Sequence, residues 1–303
     1  MNKRKIIIVL GATASGKSKI ALELAKKFDG FLISADSRQV YKQMNIGTNK
    51  DALLEKNGKY FVDGIREYMV NLVEPDELFT LDDWLREVKE ILKKEKDKLA
   101  IVVGGTGLYI SALVENYQLR GGYDEKLREK LEKIVEKNGI EELLKKIKKF
   151  DPDIENKIDV NNARRVIRAA EICLATKKPF SRDQEASGFE FLEIGVDLPR
   201  EEIYEKINKR VDQMVESGLV EEVKGLVERG YDCKSSAMSG IGYRQVCQFL
   251  NKEISGTEAV ELIKRDTRRY AKRQLTWFRR DKNIRWVSKA KEAMDLVKQF
   301  VEA

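Results

Sequence analysis

The sequence predicts an α/β protein in which a parallel sheet is flanked by helices and interrupted by a mostly helical insertion. Three observations predict this class. Short apolar, β-branched runs (KIIIVL, FLIS and LAIVV) each stop at a glycine or aspartate turn, the pattern of strands buried on both faces. Helical-period segments lie between them, at residues 18–28 and 81–98, so strand and helix alternate as a parallel layer requires. After Gly121-Gly122 the texture changes to Lys, Glu, Leu and Ile at helical spacing, over residues 123–150 and 159–176.

FLEIGVDL, at residues 191–198, returns to strand texture and rejoins the sheet in this reading. Two helices follow near residues 201–216 and 220–229, then the glycine-rich turn SAMSGIGYRQ, a long basic helix over residues 256–280 and a last strand, IRWV. The expected division is a core over residues 1–120, a helical insertion over 121–190 and a return to the core over 191–303. With 303 residues, of which 42% are hydrophobic and 36% charged, the chain has apolar material for one large core or two modest ones. No apolar run reaches the roughly 18 residues of a membrane span, so a soluble, cytoplasmic protein is expected, without a membrane partner. No coiled-coil or repeat signal appears, and a monomer is expected. The three cysteines form no C-x-x-C and there is no histidine, which excludes an ordinary His–Cys zinc site and any histidine base. The chemistry is left to carboxylates, hydroxyls, lysine, arginine or magnesium.

The strongest motif is Gly11-Ala12-Thr13-Ala14-Ser15-Gly16-Lys17-Ser18, which fits G-x-x-x-x-G-K-[ST] between a strand and a helix. Its glycines let successive backbone N–H groups face phosphate oxygens, the helix N-terminus adds its dipole, Lys17 reaches the outer phosphate and Ser18 is placed to ligate Mg²⁺. The sheet is therefore P-loop-type, and the loop, the usual nucleotide- and ATP-binding signature, takes a di- or triphosphate. An ATPase ordinarily ends a core strand in an acid that holds Mg²⁺, but the third apolar strand ends in Gly104-Gly105-Thr106-Gly107. Asp36, in Ser34-Ala35-Asp36-Ser37, is the acid at a strand end near the loop, and it suits a general base or a Mg²⁺ organiser as well as a helix cap. Thr106 offers a hydroxyl on a tight turn.

Charge is unevenly placed. The chain carries a net +7, and residues 265–286 alone hold nine basic residues against Asp266 and Asp281, so the rest sums to zero. Arginines there (Arg265, Arg269, Arg273, Arg280) interleave with Tyr270, Trp277 and Phe278, a mixture that suits a polyanion with stackable bases. Arg164 and Arg168 share a second helix face beside Arg165, behind Asn161-Asn162 as a cap.

GATASGKS, ISADSRQVYKQMNIGT, VVGGTGLY, ARRVIRAAEI, GIGYRQ and TRRYAKRQLTWFR occur in the order and spacing of the bacterial tRNA dimethylallyltransferases, also called tRNA isopentenyltransferases, which the chain resembles from residue 11 to about 280. The resemblance implies transfer of a dimethylallyl group from dimethylallyl diphosphate to N6 of adenine 37 in tRNA, beside the anticodon, with Mg²⁺. It implies that residues 11–18 hold the diphosphate, that Asp36 takes the N6 proton, and that Thr106 and Arg210 assist departure of the diphosphate. It also implies tRNA contacts from Asp36, Ser37, Arg38, Gln39 and Thr106, from Arg164, Arg165 and Arg168, from Tyr243 and Arg244, and from Lys272, Arg273, Gln274 and Arg279. The chain departs from the family pattern at Ala163 (usually Pro), at Ala170 (usually Leu), at Tyr68-Met69-Val70-Asn71 (usually HLID) and at Asp51 (usually Pro).

Two other readings use the same residues: a P-loop kinase of nucleotides or small molecules with Asp36 as base, and a non-catalytic, nucleotide-gated RNA-binding module. Prenylation of free AMP is an enzymatic variant that needs no large basic surface. The basic segment argues against the kinase and the AMP variant, whereas an RNA-binding module would need neither Asp36 nor Thr106. Replacing Lys272, Arg273 and Arg279 together by Gln is expected to flatten the log–log salt dependence of tRNA binding by roughly 0.7–0.9 per lost phosphate contact. Anisotropy titrations across a salt series measure it; an unchanged slope in a folded triple variant would assign the segment to a solvated face.

Overall fold

A computed structural model describes residues 3–50, 53–118, 124–180, 183–184 and 187–303. Gly121-Gly122, where the sequence changes texture, and Asp51 lie outside the described residues. The chain forms two compact units, one from Met1–Val114 with Ser187–Ala303 and the other from Glu115–Ala186.

The first unit opens with β1 (Arg4–Gly11), α1 (Lys17–Lys27) and β2 (Gly30–Ala35). Three short strands follow, β3 (Leu54–Lys56), β4 (Lys59–Val62) and β5 (Ile65–Tyr68), then α2 (Leu81–Lys94), β6 (Leu99–Gly104) and α3 (Gly107–Val114). The second unit holds β7 (Tyr117–Gln118), α4 (Glu125–Asn138), α5 (Ile140–Lys148), α6 (Ile154–Lys157), α7 (Ala163–Thr176) and β8 (Asp183–Gln184). The first unit resumes with β9 (Phe189–Val196), α8 (Arg200–Glu216), α9 (Leu219–Glu228), α10 (Tyr243–Leu250), α11 (Gly256–Phe278), β10 (Arg285–Val287) and α12 (Ala290–Glu302).

The sheet runs β10-β9-β1-β6-β2-β5-β4-β3. Its first six strands are parallel and the last two antiparallel. The central strands are apolar over most of their length because both faces are covered. Ile7, Val9, Leu32, Ile101 and Val103 pack against α1 and α12, and the alternate residues Ile6, Ile8 and Ile33 point to the other face. Strands β3 to β5 were not foreseen. They are only three or four residues long, β3 is exposed, and the half-buried β4 and β5 are too short for a periodic signal. The helix expected over residues 81–98 stops at Lys94, where the Glu95 N–H closes on the Ile91 carbonyl. A further helix, α12, covers the α1 face beyond the last expected strand.

In the second unit, Leu131, Leu143, Ile147, Val166 and Ala170 form a separate core. Asn162 caps α7 by accepting from the Arg165 N–H, and Ala163 takes the first helical position, where a proline would sit without strain. Among the described residues, no helix is long and apolar enough to cross a membrane. Cys233 and Cys247 form a disulfide, a pairing the sequence spacing did not suggest; it brackets the glycine-rich turn before α10.

One tertiary contact sets the height of the site. Helix α2 starts with a capping box, Thr80 with Asp83, and its next residue, Trp84, is fully buried. The Trp84 indole N–H donates to the Ser34 carbonyl at 3.0 Å, two residues before Asp36, and its ring stacks on Tyr109 with centroids 4.8 Å apart. Trp84→Ala is expected to cost about 3–5 kcal/mol through the cavity it leaves, read as a drop in the denaturant midpoint. A loss below about 1 kcal/mol would show that this junction is not a packing centre.

Candidate active site

The phosphate loop leaves β1 through Gly11, whose φ of +151° and 2.9 Å clearance from the Val196 carbonyl exclude a side chain. Ala14 (φ +64°) and Gly16 (φ +89°) are left-handed, so the backbone alternates hand and turns its amides inward to form an anion-binding concavity. The Ser15 hydroxyl is buried with no partner, a polar atom that a phosphate oxygen would satisfy. Lys17 folds back to the Ala12 carbonyl at 3.2 Å, and Arg210, from α8, donates to the Thr13 hydroxyl at 3.3 Å. The Lys17 side chain keeps some access to solvent through the cleft, but burial of its ammonium, with the Arg210 charge beside it, lowers its pKa to about 8 against the opposing pull of Asp36.

Strands β1, β6 and β2 are adjacent, so the three loops at their carboxyl ends meet. The Thr106 N–H donates to the Ala35 carbonyl at 3.1 Å, and the Ser37 N–H donates to the Thr106 hydroxyl at 3.1 Å. Asp36 Oδ1 accepts from the Arg38 N–H at 2.8 Å, an Asx turn that fixes the carboxylate without enclosing it. Tyr270, from α11, reaches Thr106 and Gln274 from the opposite wall; burial and the nearby Asp36 push its phenol up to about 12.

A cavity of about 920 Å³ is lined by Lys17, Ser18, Asp36, Arg210, Tyr270 and Arg273; Thr106 is not part of its lining and meets it through Ser37. Its lining also includes the apolar side chains of Leu22, Leu32, Val62, Val70 and Val103, together with Glu67 and Lys50. Burial raises Glu67 to about 7 and lowers Lys50 to about 8. The Lys50 ammonium donates to the Tyr41 carbonyl at 2.5 Å and to Asn71 Oδ1.

Beside Asp36, Ser37 and Thr106, the expected tRNA residues fall into three groups. Arg244, Lys272, Arg273 and Arg279 are exposed; Arg244 donates to Asp266 at 3.0 Å and Arg279 to Asp197 at 3.2 Å. Asp266 also pairs with Arg265; burial alone would raise its pKa, but its partners Arg265, Gln245 and Arg244 hold it below the usual carboxylate range. Four residues are engaged within the protein. Arg38 donates to the Ser236 and Ala237 carbonyls, and Gln39 bridges the Ser34 hydroxyl and the Thr48 carbonyl. Tyr243 is buried beneath Gly47, and Gln274 is buried with its amide on backbone groups. Arg164 and Arg165 are exposed in the second unit, and Arg168 pairs there with the buried Glu171 at 3.0 Å.

Sequence reasoning missed Lys50, Glu67 and Glu222. Glu222 accepts from the N–H groups of Asn45, Ile46 and Gly47 at 2.8, 2.8 and 3.2 Å and from the Tyr243 hydroxyl at 2.6 Å, pinning the loop before Lys50 to α9 and α10. No motif marks it, because it is one of many glutamates on an amphipathic helix.

The model of the IPP transferase family matches residues 39–281. The tRNA dimethylallyltransferase of Acetivibrio thermocellus is 47% identical over 294 residues, covering 94% of this chain and 91% of the relative. That of Caldanaerobacter subterraneus subsp. tengcongensis is 42% identical over 292 residues, covering 93% and 91%. Among solved structures, the full-length tRNA isopentenylpyrophosphate transferase of Bacillus halodurans superposes with a TM-score of 0.70 at 35% identity, covering 99% of this chain and 96% of that one. A eukaryotic dimethylallyltransferase acting on tRNA reaches 0.83 at 27% identity, covering 99% and 80%. By matched length and identity, the chain belongs to the IPP transferase family.

Proposed function

We propose that this protein transfers the dimethylallyl group of dimethylallyl diphosphate to N6 of adenine 37 in the anticodon loop of tRNA, as a cytoplasmic monomer. The observation that carries the reading is the meeting of an anion cradle, a free-standing carboxylate and an apolar lining in one cavity. A kinase needs the first two only.

The adenine amino group is a weak nucleophile, so the bond from C1 of the donor to the diphosphate oxygen must loosen as the N6–C1 bond forms. The loop amides, Lys17 and Arg210 are placed to stabilise negative charge growing on the departing diphosphate. The N6 proton passes to the Asp36 carboxylate, and Thr106, held by Ser37, fixes that carboxylate's turn and offers a hydroxyl to the reacting groups. An adenine stacked in an anticodon loop must leave its stack to reach the cavity, and the cations of α11 and α7 hold the RNA backbone.

The donor set near the loop also fits Mg²⁺. Among the described residues no cluster of three acidic or thiol side chains could hold a metal by itself, but the Ser18 hydroxyl and the Asp36 carboxylate share the cavity with the cradle. Hard oxygen donors in that number suit Mg²⁺, which is usually bound through one or two protein oxygens plus substrate phosphates. When bound it would neutralise charge on the diphosphate.

Incubation with labelled dimethylallyl diphosphate, Mg²⁺ and either unmodified tRNA or AMP tests the reading: label is expected in tRNA at adenine 37. Label in AMP alone, or ATP turnover without tRNA, would overturn it. Asp36→Asn should leave tRNA affinity nearly intact and slow single-turnover transfer by about 10²- to 10⁴-fold. A near wild-type rate would make Asp36 a turn residue only.

Lys17 gives a pH prediction. Its pKa of about 8 in the free protein must rise when a diphosphate sits against it, so binding takes up a proton. Affinity for dimethylallyl diphosphate is then fully present below pH 8 and falls above it, by up to about tenfold per unit. Calorimetry in buffers of different ionisation heat should show the uptake, and Lys17→Gln should abolish it. Wild-type affinity flat from pH 7 to 9.5 would remove Lys17 from the diphosphate site.

A further inference from the structure

Gln274 lies one residue beyond the cation Arg273 on α11, yet it turns away from solvent and is 6% exposed. Its Oε1 accepts from the backbone N–H of Thr13, in the phosphate loop, at 2.8 Å. Its Nε2 donates to the carbonyl of Gly105, in the turn that carries Thr106, at 2.8 Å. One amide therefore ties the loop that would hold the leaving group to the turn beside the proposed base. Of the uncharged side chains of this length, an amide alone offers an acceptor and a donor side by side. The two partners are specified for each other: a Cβ on Gly105 would lie 2.1 Å from Nε2. Thr13 is fixed a second time, its hydroxyl accepting from Arg210. Its N–H is taken by Gln274, so the cradle is shaped by Gln274 without that amide turning to a ligand.

We propose that Gln274 is a positioning residue that sets the register between the diphosphate loop and the Asp36–Thr106 pair, and that it does not contact RNA. The proposal rests on the transferase reading and deepens it. Each loop would still bind its own substrate without the amide, but the carbon–oxygen bond that breaks and the amine that attacks would no longer be aligned. Misplacement of about 1 Å in such an arrangement costs on the order of 10²-fold in rate. A residue that gripped RNA would do the opposite and weaken tRNA binding.

The test uses full-length protein, unmodified tRNA and dimethylallyl diphosphate. Gln274→Met keeps the length and removes the hydrogen bonds to Thr13 and Gly105, together with the one to the Tyr270 hydroxyl. Its kcat is expected to fall by about 30- to 300-fold, on the scale of such misalignment, while the Kd for tRNA, its salt slope and the Kd for dimethylallyl diphosphate stay within about threefold of wild type. Gln274→Glu keeps the acceptor but sets a carboxylate against the Gly105 carbonyl; protonated, it regains a donor. Its kcat relative to wild type should therefore recover as pH falls from 8 to 5.5, while the ratio for Gln274→Met stays flat. If Met does not fold, the Glu profile alone decides. Weakened tRNA binding with kcat intact would overturn the proposal, as would a Glu variant with no acid recovery. Wild-type protein that makes no prenylated tRNA in the same assay would instead overturn the transferase reading.

Discussion

The site depends on how closely the backbones of β2 and β6 approach at their carboxyl ends. Ala35 pairs with Gly104, and a Cβ on Gly104 would lie 2.2 Å from the Ala35 carbonyl oxygen. That same oxygen accepts from the Thr106 N–H, and two residues later the Ser37 N–H closes back on the Thr106 hydroxyl. A side chain at Gly104 would part the strands and with them Asp36 from Thr106. Position in a parallel sheet thus becomes position in a reaction site. The strand between the phosphate loop and the carboxylate supplies the hydroxyl, and packing of Trp84 under Ser34 fixes the height of the carboxylate.

Electrostatics follow from that packing. Lys17, Lys50 and Arg210 all stand at the cavity, where the carboxylates Asp36 and Glu67 also lie. Desolvation by burial is the main cause of the lowered pKa of both lysines; at Lys17 the Arg210 charge lowers it further, whereas at Lys50 the carboxylates Glu222, Asp36 and Glu67 oppose the shift. On the transferase reading, a diphosphate at the loop would offset both the desolvation of Lys17 and its repulsion from Arg210. A cradle of neutral amides would bind without this bias toward highly charged ligands.

Much of this was legible in the sequence because it is encoded locally. GATASGKS, the strand-end Asp36 and the GGTG turn are contiguous strings whose chemistry follows from spacing; the structure brings the loop and Asp36 to one cavity and sets Thr106 behind Ser37 at its edge. What was not legible is long-range. Glu222 stands 175 residues from Gly47, and nothing near either predicts their bond. Lys50 and Glu67 look like surface residues until the β3–β5 hairpin is in place, and its strands are too short to announce themselves. Gly105 could be read as a turn glycine, but the atom that demands it belongs to Gln274, which the motif had grouped with residues facing RNA.

Helix α11 shows why its charge alone was ambiguous. It presents three surfaces. Arg269, Tyr270 and Arg273 face the large cavity. Lys272, Thr276 and Arg279 border a smaller groove of about 240 Å³, shared with Arg200 and Tyr204 of α8. Gln274 and Trp277, three apart, press on the GGTG turn; a Cβ on Gly107 would lie 2.4 Å from the Trp277 ring. A merely solvated helix would bury an aliphatic stripe and leave its cations to water. Here the buried stripe carries a bridging amide, the Trp277 indole, 37% exposed, lies against the turn that holds Thr106, and the cations rim two concave surfaces. On the transferase reading, the helix that presents charge to the RNA also builds a wall of the site, since Tyr270 and Arg273 line the cavity and Gln274 ties the phosphate loop to Gly105.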